Sequence, residues 1–386
     1  MNYDVLVFIG RFQPFHMGHK AVVDQALTLA STVAVVIGSH DQPRDPRNPF
    51  TTAERICLIT SAYPDEVGSG RIQFVPVADS RYNDHKWIAT IQSGVNAIAS
   101  KVCFPNTAKI GLIGHAKDNS SYYLKSFPMW NEHVAVENYM GIDATVVRKA
   151  YFATKRSLFD SAQTLLPAVV FKALLDWEGS TGYNSVQAEQ DFLVEYKRQF
   201  SFPNADQMLA WFLKTFPEMG TPSPEVLKVM SKFRDDWKTP YPTIFKTVDA
   251  AVVVSGHILL VQRGAFPGKG LWALPGGYVN PDETLRNAAI RELIEETKID
   301  LSFDTLNRCI RSWREFDDPN RSLRGRTITT AFKFELRNDT VLPKVKGSDD
   351  AAKARWVELS QVRRDMMFED HYDIIAELVG VWHDVG

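Results

Sequence analysis

Gly277, then Glu283, then Arg291-Glu292-Leu293-Ile294-Glu295-Glu296 running on to Ile299 is the stretch on which the reading of this 386-residue chain turns. Five residues separate Gly277 from Glu283, and seven separate Glu283 from Arg291. On a helix, Glu292, Glu295 and Glu296 fall at i, i+3 and i+4 and project from one face. Like charges at that spacing repel and weaken the helix unless a cation sits among them. All-oxygen ligation suits a hard divalent ion, Mg²⁺ with Mn²⁺ as the alternative, which bridges carboxylates and substrate phosphates. Leu274-Pro275-Gly276-Gly277, just before, predicts a tight turn whose backbone approaches a ligand closely. A solvated acidic helix face is the plainer reading. Six fixed residue types, each at a background of roughly 5–8%, coincide at a given site on the order of once in ten million, and that favours the cation.

On these residues the stretch resembles the Nudix box, the signature of hydrolases that cleave a nucleoside diphosphate linked to another group. The resemblance implies that Gly277, Glu292, Glu295 and Glu296 form the metal site, with Glu295 and Glu296 also catalytic. It implies too that Arg291 and Glu283 brace the loop–helix–loop. Lys298 departs from the pattern, standing where the family usually has a glycine that ends the helix.

The N-terminus carries an independent signal. Tyr3 to Ile9 is a short apolar run, followed by Gly10-Arg11-Phe12-Gln13-Pro14-Phe15-His16-Met17-Gly18-His19, a helical stretch from Lys20 to Ser31 and a second apolar run from Thr32 to Ile37. That is a β–loop–α–β opening, in which phosphates bind at the helix N-terminus beyond the carboxyl end of the strand. His16, His19 and Arg11 there can hold a polyphosphate and neutralise charge that develops during phosphoryl transfer. A metal pair or two surface histidines would fit the spacing alone.

The loop resembles the His-x-Gly-His motif of adenylyltransferases, in the form found in archaeal-type nicotinamide mononucleotide (NMN) adenylyltransferases. Ile37-Gly38-Ser39, Asn48-Pro49-Phe50-Thr51 with Glu54-Arg55, and Trp87-Ile88 follow in the family's order. Ile142-Asp143-Ala144-Thr145-Val146-Val147-Arg148 resembles the second phosphate motif, with Asp143 where serine or asparagine is usual. Gly111-Leu112-Ile113-Gly114-His115-Ala116-Lys117-Asp118 follows a strand, and its glycines suit a base or ribose, or a simple turn. The resemblance implies catalytic roles for His16, His19, Arg11 and Arg148. It implies substrate contacts for Gly10, Phe12, Ser39, Asn48, Arg55, Trp87 (stacked on the nicotinamide), Gly114, Lys117, Asp118 and Thr145. Taken together and in this order, the two halves resemble the bifunctional NMN adenylyltransferase/Nudix hydrolase family.

Composition sets the frame. Hydrophobic content of 45%, charged content of 23% and a net charge of −2 are those of a soluble globular protein, with no case for nucleic-acid wrapping. Arg44, Arg47, Arg321, Arg324 and Arg326 would serve small phosphates instead. Cys57, Cys103 and Cys309 form no zinc pattern or disulfide framework; Cys57 and Cys309 read as core thiols. No basic leader and no 18-residue apolar span are present, so a cytoplasmic protein without membrane contact is expected. A homo-oligomer is compatible with all of this.

The pattern predicts a doubly wound parallel α/β sheet with strands at 3–9, 32–37, 72–77, 109–113 and 133–136, and a closing helix from Ser157 to Leu175. A helical connector follows, with helices at Gln187–Phe200, Ala205–Phe216 and Glu225–Trp237. Last comes an α/β/α Nudix sandwich with a mixed sheet: strands Thr247–Val254, Ile258–Gln262, Thr327–Leu336 and Arg355–Glu358, and helix Tyr372–Val379. Domain boundaries are placed at 1–185, 186–243 and 244–386.

Asp317-Asp318-Pro319 and Arg324-Gly325-Arg326 resemble a segment that borders the pyrophosphate and ribose in Nudix relatives that handle ADP-ribose, which implies substrate contacts for Arg324 and Arg326; a solvated hairpin tip is the alternative. Asp349, Asp350 and Glu369 are the acidic candidates for a catalytic base outside the box. The family resemblance implies adenylyl transfer from ATP to NMN, giving NAD and pyrophosphate, and metal-dependent hydrolysis of ADP-ribose to AMP and ribose 5-phosphate. Two alternatives stand: a Nudix half that only senses ADP-ribose, or a transferase half with a different phosphate acceptor.

Overall fold

The computed structural model describes residues 2–102, 107–114, 126–130, 133–136, 141–153, 156–200, 223, 225–226, 244–337, 341–347 and 351–380. The chain divides into two compact units, Met1–Gln190 with Arg363–Met367 and Asp191–Val362 with Phe368–Gly386. Each is described by itself.

In the first unit, β1 (Tyr3–Gly10), β2 (Ala30–Ile37), β3 (Ile72–Pro76), β4 (Ile110–Gly114) and β5 (His133–Ala135) pair in the order β3-β2-β1-β4-β5. Every pairing is parallel, with Tyr3 opposite Ala30 and Val5 opposite Ile110. Parallel strands in this order are buried on both faces, and the sequence shows it. Val5, Val7, Ala34, Val36 and Val75 enter one core with α4 (Asp84–Val102), through Ile91, Val95 and Ile98. Leu6, Phe8, Val33, Val35 and Ile37 enter the other with α1 (Met17–Leu29) and α2 (Thr52–Ala62). The chain winds outward from β1 to β3 and then returns to β4 beside β1. Their carboxyl ends therefore form a switch point, the place where such sheets bind ligands. The loop after β1 and Gly114 at the end of β4 both lie there.

The expected closing helix from Ser157 to Leu175 is instead α6 (Arg156–Ser161), a 3₁₀ turn (Gln163–Leu165) and α7 (Ala168–Trp177). Pro167 is the residue before α7; without an N–H it cannot continue a helix, so it starts a new one. The next helix, α8, begins at Thr181 rather than Gln187 and runs to Phe200. The two further connector helices expected at 205–216 and 225–237 lie outside the described residues, apart from 225–226.

The second unit is built on β6 (Phe245–Val254). It pairs parallel with β11 (Thr327–Glu335) and antiparallel with β7 (His257–Arg263) and β9 (Gly276–Tyr278). β12 (Ala351–Glu358) and the short β8 (Trp272–Ala273) flank β7, and β10 (Ile310–Phe316) forms the far edge beside β11. β10 was not expected from sequence: an edge strand exposed on both faces has no alternation to read. The helix that carries the box, α9 (Leu285–Thr297), packs Ala288, Ala289, Ile290 and Leu293 on Val248, Ala250 and Val252. The last helix, α11 (His371–Val379), contacts β6, β10 and β11. α10 (Phe303–Cys309) packs Leu306 into the same core as α9.

Cys57 is exposed and Cys309 half-buried, not core thiols as expected: Cys57 falls on the outer face of α2. Among the described residues no helix is long and apolar enough to cross a membrane.

Phe334 is fully buried in the second core. Phe334→Ala is expected to lower the stability of that unit by about 3–5 kcal/mol, read from its thermal unfolding transition; a loss under about 1 kcal/mol would mean that the site collapses around the cavity.

Candidate active sites

In the first unit the loop after β1 is folded by its own aromatic residues. Phe12 has a left-handed backbone (φ 53) and buries its ring between Phe8, Phe15 and His19. Its side chain, expected from the sequence at the substrate, serves the loop's packing. Gln13 closes the loop onto the next one: its amide accepts from Phe50 N–H at 2.9 Å and donates to Phe50 O at 2.8 Å.

His16 caps α1, and its ring stacks on that of His19 with centroids 3.7 Å apart. A Cβ on Gly18 would stand 3.1 Å from the His16 ring. The glycine between the two histidines is thus what lets the imidazole lie over the helix start. Arg148, on α5 (Ala144–Tyr151), approaches the same loop, donating to Gln13 O at 2.6 Å and to Thr145 Oγ1 at 3.2 Å. Asp143, in place of the usual serine or asparagine, caps α5 by accepting from Thr145 N–H at 2.6 Å.

Arg55 is almost wholly buried, and its donors are turned inward. It donates to the carbonyls of Arg11 (2.8 Å), Gly38 (2.6 Å), Ser39 (3.0 Å) and Thr51 (3.3 Å), and to Thr52 Oγ1 (3.0 Å). Expected as a substrate contact, it is a clamp on the loops that carry the site. Ser39 is likewise held, its hydroxyl donating to Asp79 at 2.8 Å. Arg44, expected to serve phosphate, pairs with Glu54 at 2.6 Å.

Burial depresses Arg55 and Arg148 to about 10, and the charge of Arg11 adds to the effect in both. Cations held against desolvation and one another make a site that gains from an anion. Asn48 is buried, and its Oδ1 and the Nε2 of Gln42 have no hydrogen-bond partner among the described residues. Trp87 is half-buried at the edge of the α4 core, 6.3 Å from the Phe127 ring. Lys117 and Asp118 lie outside the described residues.

In the second unit, Arg291 is the hub of the box. It donates to both oxygens of Glu283 (2.9 and 2.6 Å), to Glu292 at 2.9 Å and to Glu295 at 2.9 Å. Its fourth partner is the carbonyl of Tyr278 at 3.1 Å. Lys298 takes the left-handed conformation (φ 46) that glycine usually fills, so the helix ends as the pattern requires despite the side chain.

Glu296 accepts from Gly276 N–H at 3.0 Å, and a Cβ on Gly277 would lie 2.5 Å from Glu292 Oε1. Only a glycine lets the backbone pass so close to that carboxylate. Burial raises Glu292, with the charges of Glu295 and Glu283 adding to it against the pull of Arg291, and burial raises Glu296 to about 7, with the charge of Glu292 adding to it. Among the described residues no three His, Cys, Asp or Glu side chains form a ready cage. Glu295, expected as the third ligand, is exposed and turned to Arg291. What remains is two desolvated carboxylates beside a glycine backbone, all hard oxygen donors, and a divalent cation fits that set.

Glu296, Gly276, Gly277 and Tyr278 line a cavity of about 240 Å³ together with Asp249, Arg321, Arg324, Phe368, Glu369 and His371. Arg324 lies 3.5 Å from Glu369 and 5.7 Å from the centre of the Phe368 ring. Burial opposes the Arg324 charge most strongly, but Glu369, together with Tyr278 and Tyr196, outweighs it and holds the guanidinium above its ordinary value. Glu369 accepts from Ser322 Oγ at 2.7 Å and from Leu323 N–H at 3.3 Å. Asp349 and Asp350 lie outside the described residues. Arg326, expected in the pocket, is not part of its lining; it donates to the Asp317 carbonyl and closes the hairpin tip.

Sequence reasoning missed the wall below Glu369. Arg321 and Asp370 form a buried two-bond pair, both contacts 2.9 Å. His371 is buried and accepts from Leu274 N–H at 3.0 Å. Partners 49 and 97 residues apart leave no local signal in the sequence.

The NUDIX domain family matches residues 245–378, and the cytidylyltransferase-like family matches residues 7–92. The chain is 37% identical over 186 residues to a nicotinamide/nicotinic acid mononucleotide adenylyltransferase of Acinetobacter baylyi, covering 48% of this chain and 93% of that one. It is 32% identical over 130 residues to an ADP-ribose pyrophosphatase of Methanocaldococcus jannaschii, covering 34% of this chain and 70% of that one. A crystal structure of a bifunctional NMN adenylyltransferase/ADP ribose pyrophosphatase from Francisella tularensis, complexed with AMP and Mn ion, is similar over 98% of this chain and 99% of its own. The TM-score is 0.79 and the identity 32%.

Arg55→Gln leaves several buried carbonyls without a donor. It is expected to lower the stability of the first unit by about 1–3 kcal/mol and to cut adenylyl transfer at least tenfold while ADP-ribose hydrolysis persists. Unchanged melting of that unit would remove the clamp role.

Proposed function

Because the chain belongs to the family of bifunctional NMN adenylyltransferase/ADP-ribose pyrophosphatases, we propose that its own two sites divide those reactions between them. Residues 1–185 make NAD from NMN and ATP, residues 186–243 connect, and residues 244–386 hydrolyse ADP-ribose, with Mg²⁺ as the working metal. The observation that carries this reading is the opposite chemistry of the two sites. One gathers cations and imidazoles at a helix start. The other gathers desolvated carboxylates at a cavity.

In the first reaction the phosphate oxygen of NMN attacks the α-phosphorus of ATP, and pyrophosphate leaves. The substrate is its own nucleophile, so the protein's part is to position and to stabilise charge. Arg11 and Arg148 face the phosphates; Arg148 is pre-oriented by Gln13 O and Thr145 Oγ1. His16 and His19, stacked at the start of α1, add donors where the helix already favours negative charge. Gly10 and Gly114 end the two strands at the switch point, where their backbone would border the nucleotide, and the absent side chain of Gly10 makes room for the Phe12 ring. The buried Asn48 Oδ1 suits a donor from substrate, and Trp87 the nicotinamide face. Lys117 and Asp118 complete the proposed contacts.

In the second reaction water attacks the diphosphate of ADP-ribose, and AMP and ribose 5-phosphate separate. Glu292 and Glu296 beside Gly277, with Glu295 in support, would hold a divalent ion, which would supply charge for the diphosphate and make water more acidic. Arg324 lines the cavity and favours an anion, with Arg321 behind it paired to Asp370. Of the acidic candidates outside the box, Glu369 lines the same cavity and is the proposed acceptor of the water's proton.

A product assay of the full chain with NMN plus ATP, and separately with ADP-ribose, tests both assignments; a non-catalytic sensor would leave ADP-ribose intact. His19→Ala is expected to lower NAD synthesis by a factor on the order of 10² with little change in ATP affinity. Near-parental synthesis would remove His19 from the mechanism. Glu296→Gln keeps the shape and loses the charge, so ADP-ribose hydrolysis should fall by about 10³ while NAD synthesis stays within about threefold. An equal loss of both activities would instead indicate a folding defect.

A further inference from the structure

Helix α8 leaves the first unit at Gln190, and its following turns belong to the second. Phe192 and Tyr196 are one helical turn apart, so they share a face. The Phe192 ring lies 6.1 Å from that of Phe266, and the Tyr196 ring lies 5.8 Å from that of Phe192. The Tyr196 hydroxyl ends 2.9 Å from the hydroxyl of Tyr278. Tyr278 follows directly on Gly276–Gly277 and forms one wall of the cavity.

The surroundings of Tyr278 make it a platform. Phe245 meets its ring edge-on at 5.9 Å, and the Arg324 guanidinium lies 5.9 Å from the ring centre. The residue is 41% exposed, so packing alone leaves much of the ring unconfined. A hydroxyl bond at the tip of an exposed tyrosine restricts the one group that packing does not hold. Burial, and then the neighbouring Tyr278 hydroxyl, raise the Tyr196 hydroxyl above its ordinary range and keep it a protonated partner.

We propose that Tyr196, contributed by the connector helix, is a specificity-determining residue of the hydrolase pocket, fixing Tyr278 as a wall for the flat base of a nucleoside diphosphate. The inference rests on the hydrolase reading for its reaction but not for its ligand. The aromatic ring favours a planar π-system and gives little to a bare diphosphate, which is served by the neighbouring guanidinium of Arg324 and not by Tyr278. Tyr196 does not touch the reacting atoms; it acts through Tyr278.

The test uses the full chain with Tyr196→Phe, which deletes only the hydroxyl, and Tyr196→Ala. Both are expected to raise KM for ADP-ribose about fivefold with kcat within about twofold and NAD synthesis unchanged. Equilibrium binding of AMP should weaken by a similar factor, and binding of inorganic pyrophosphate should not. Parental KM and AMP affinity in both variants would overturn the proposal, as would equal losses for AMP and pyrophosphate. If the parent binds AMP without hydrolysing ADP-ribose, the hydrolase reading fails, and the AMP-against-pyrophosphate comparison still decides the role of Tyr196. A parent that binds neither overturns both.

Discussion

The guanidinium of Arg55 donates to the carbonyls of Arg11, Gly38 and Ser39, and so ties the end of β1 to the end of β2. A loop at the mouth of a switch point gains nothing from burying its own polar groups without partners. Its backbone carbonyls need donors, and its cations repel each other. One buried arginine answers the first need from behind the loop. The desolvation of Arg55 is the cost, visible as a pKa near 10. Gln13, paired with Phe50 from both ends of its amide, does the same for the neighbouring turn.

Arg291 plays the corresponding part in the second unit with the signs reversed. Glu283, Glu292 and Glu295 would repel one another along α9, and a single guanidinium bonded to all three holds them. Glu296 is left out of that arrangement. It has one backbone donor and a buried carboxylate raised to about 7. The group least satisfied by the protein is therefore the one that faces the cavity, which is where a cation and a diphosphate have most to contribute.

Much of this was legible in the sequence because the motifs are local. The box from Gly277 to Ile299 and the loop from Gly10 to His19 each fit within one turn and one helix, where spacing translates directly into a shared face. The sheet of the first unit was legible for a related reason: Val5, Val7 and Ile9 alternate with Leu6 and Phe8 between two apolar cores. The direction in which a motif residue points was less legible. Phe12 and Arg55 sit in motif positions, but their side chains point into the protein, and no spacing reveals that. Glu295 falls on the same face as its neighbours, yet Arg291 holds it on the exposed side. The Arg321–Asp370 pair and the Tyr196–Tyr278 contact depend on distant segments meeting, which an isolated sequence does not encode in any readable period.

His371 lines the hydrolase cavity and has the look of a proton acceptor, but its hydrogen bonding points the other way. Nδ1 accepts from Leu274 N–H, so the neutral ring carries its proton on Nε2 and can only donate there. Burial lowers its pKa from the ordinary histidine value, with Asp249 pulling against that. The folded chain therefore prefers the neutral ring, while the unfolded chain takes up a proton as the pH drops below about 6.5. This single imidazole stabilises the second unit fully above that pH and progressively less below it. Mild acid thus weakens the wall of the cavity through a side chain that takes no proton from the substrate water.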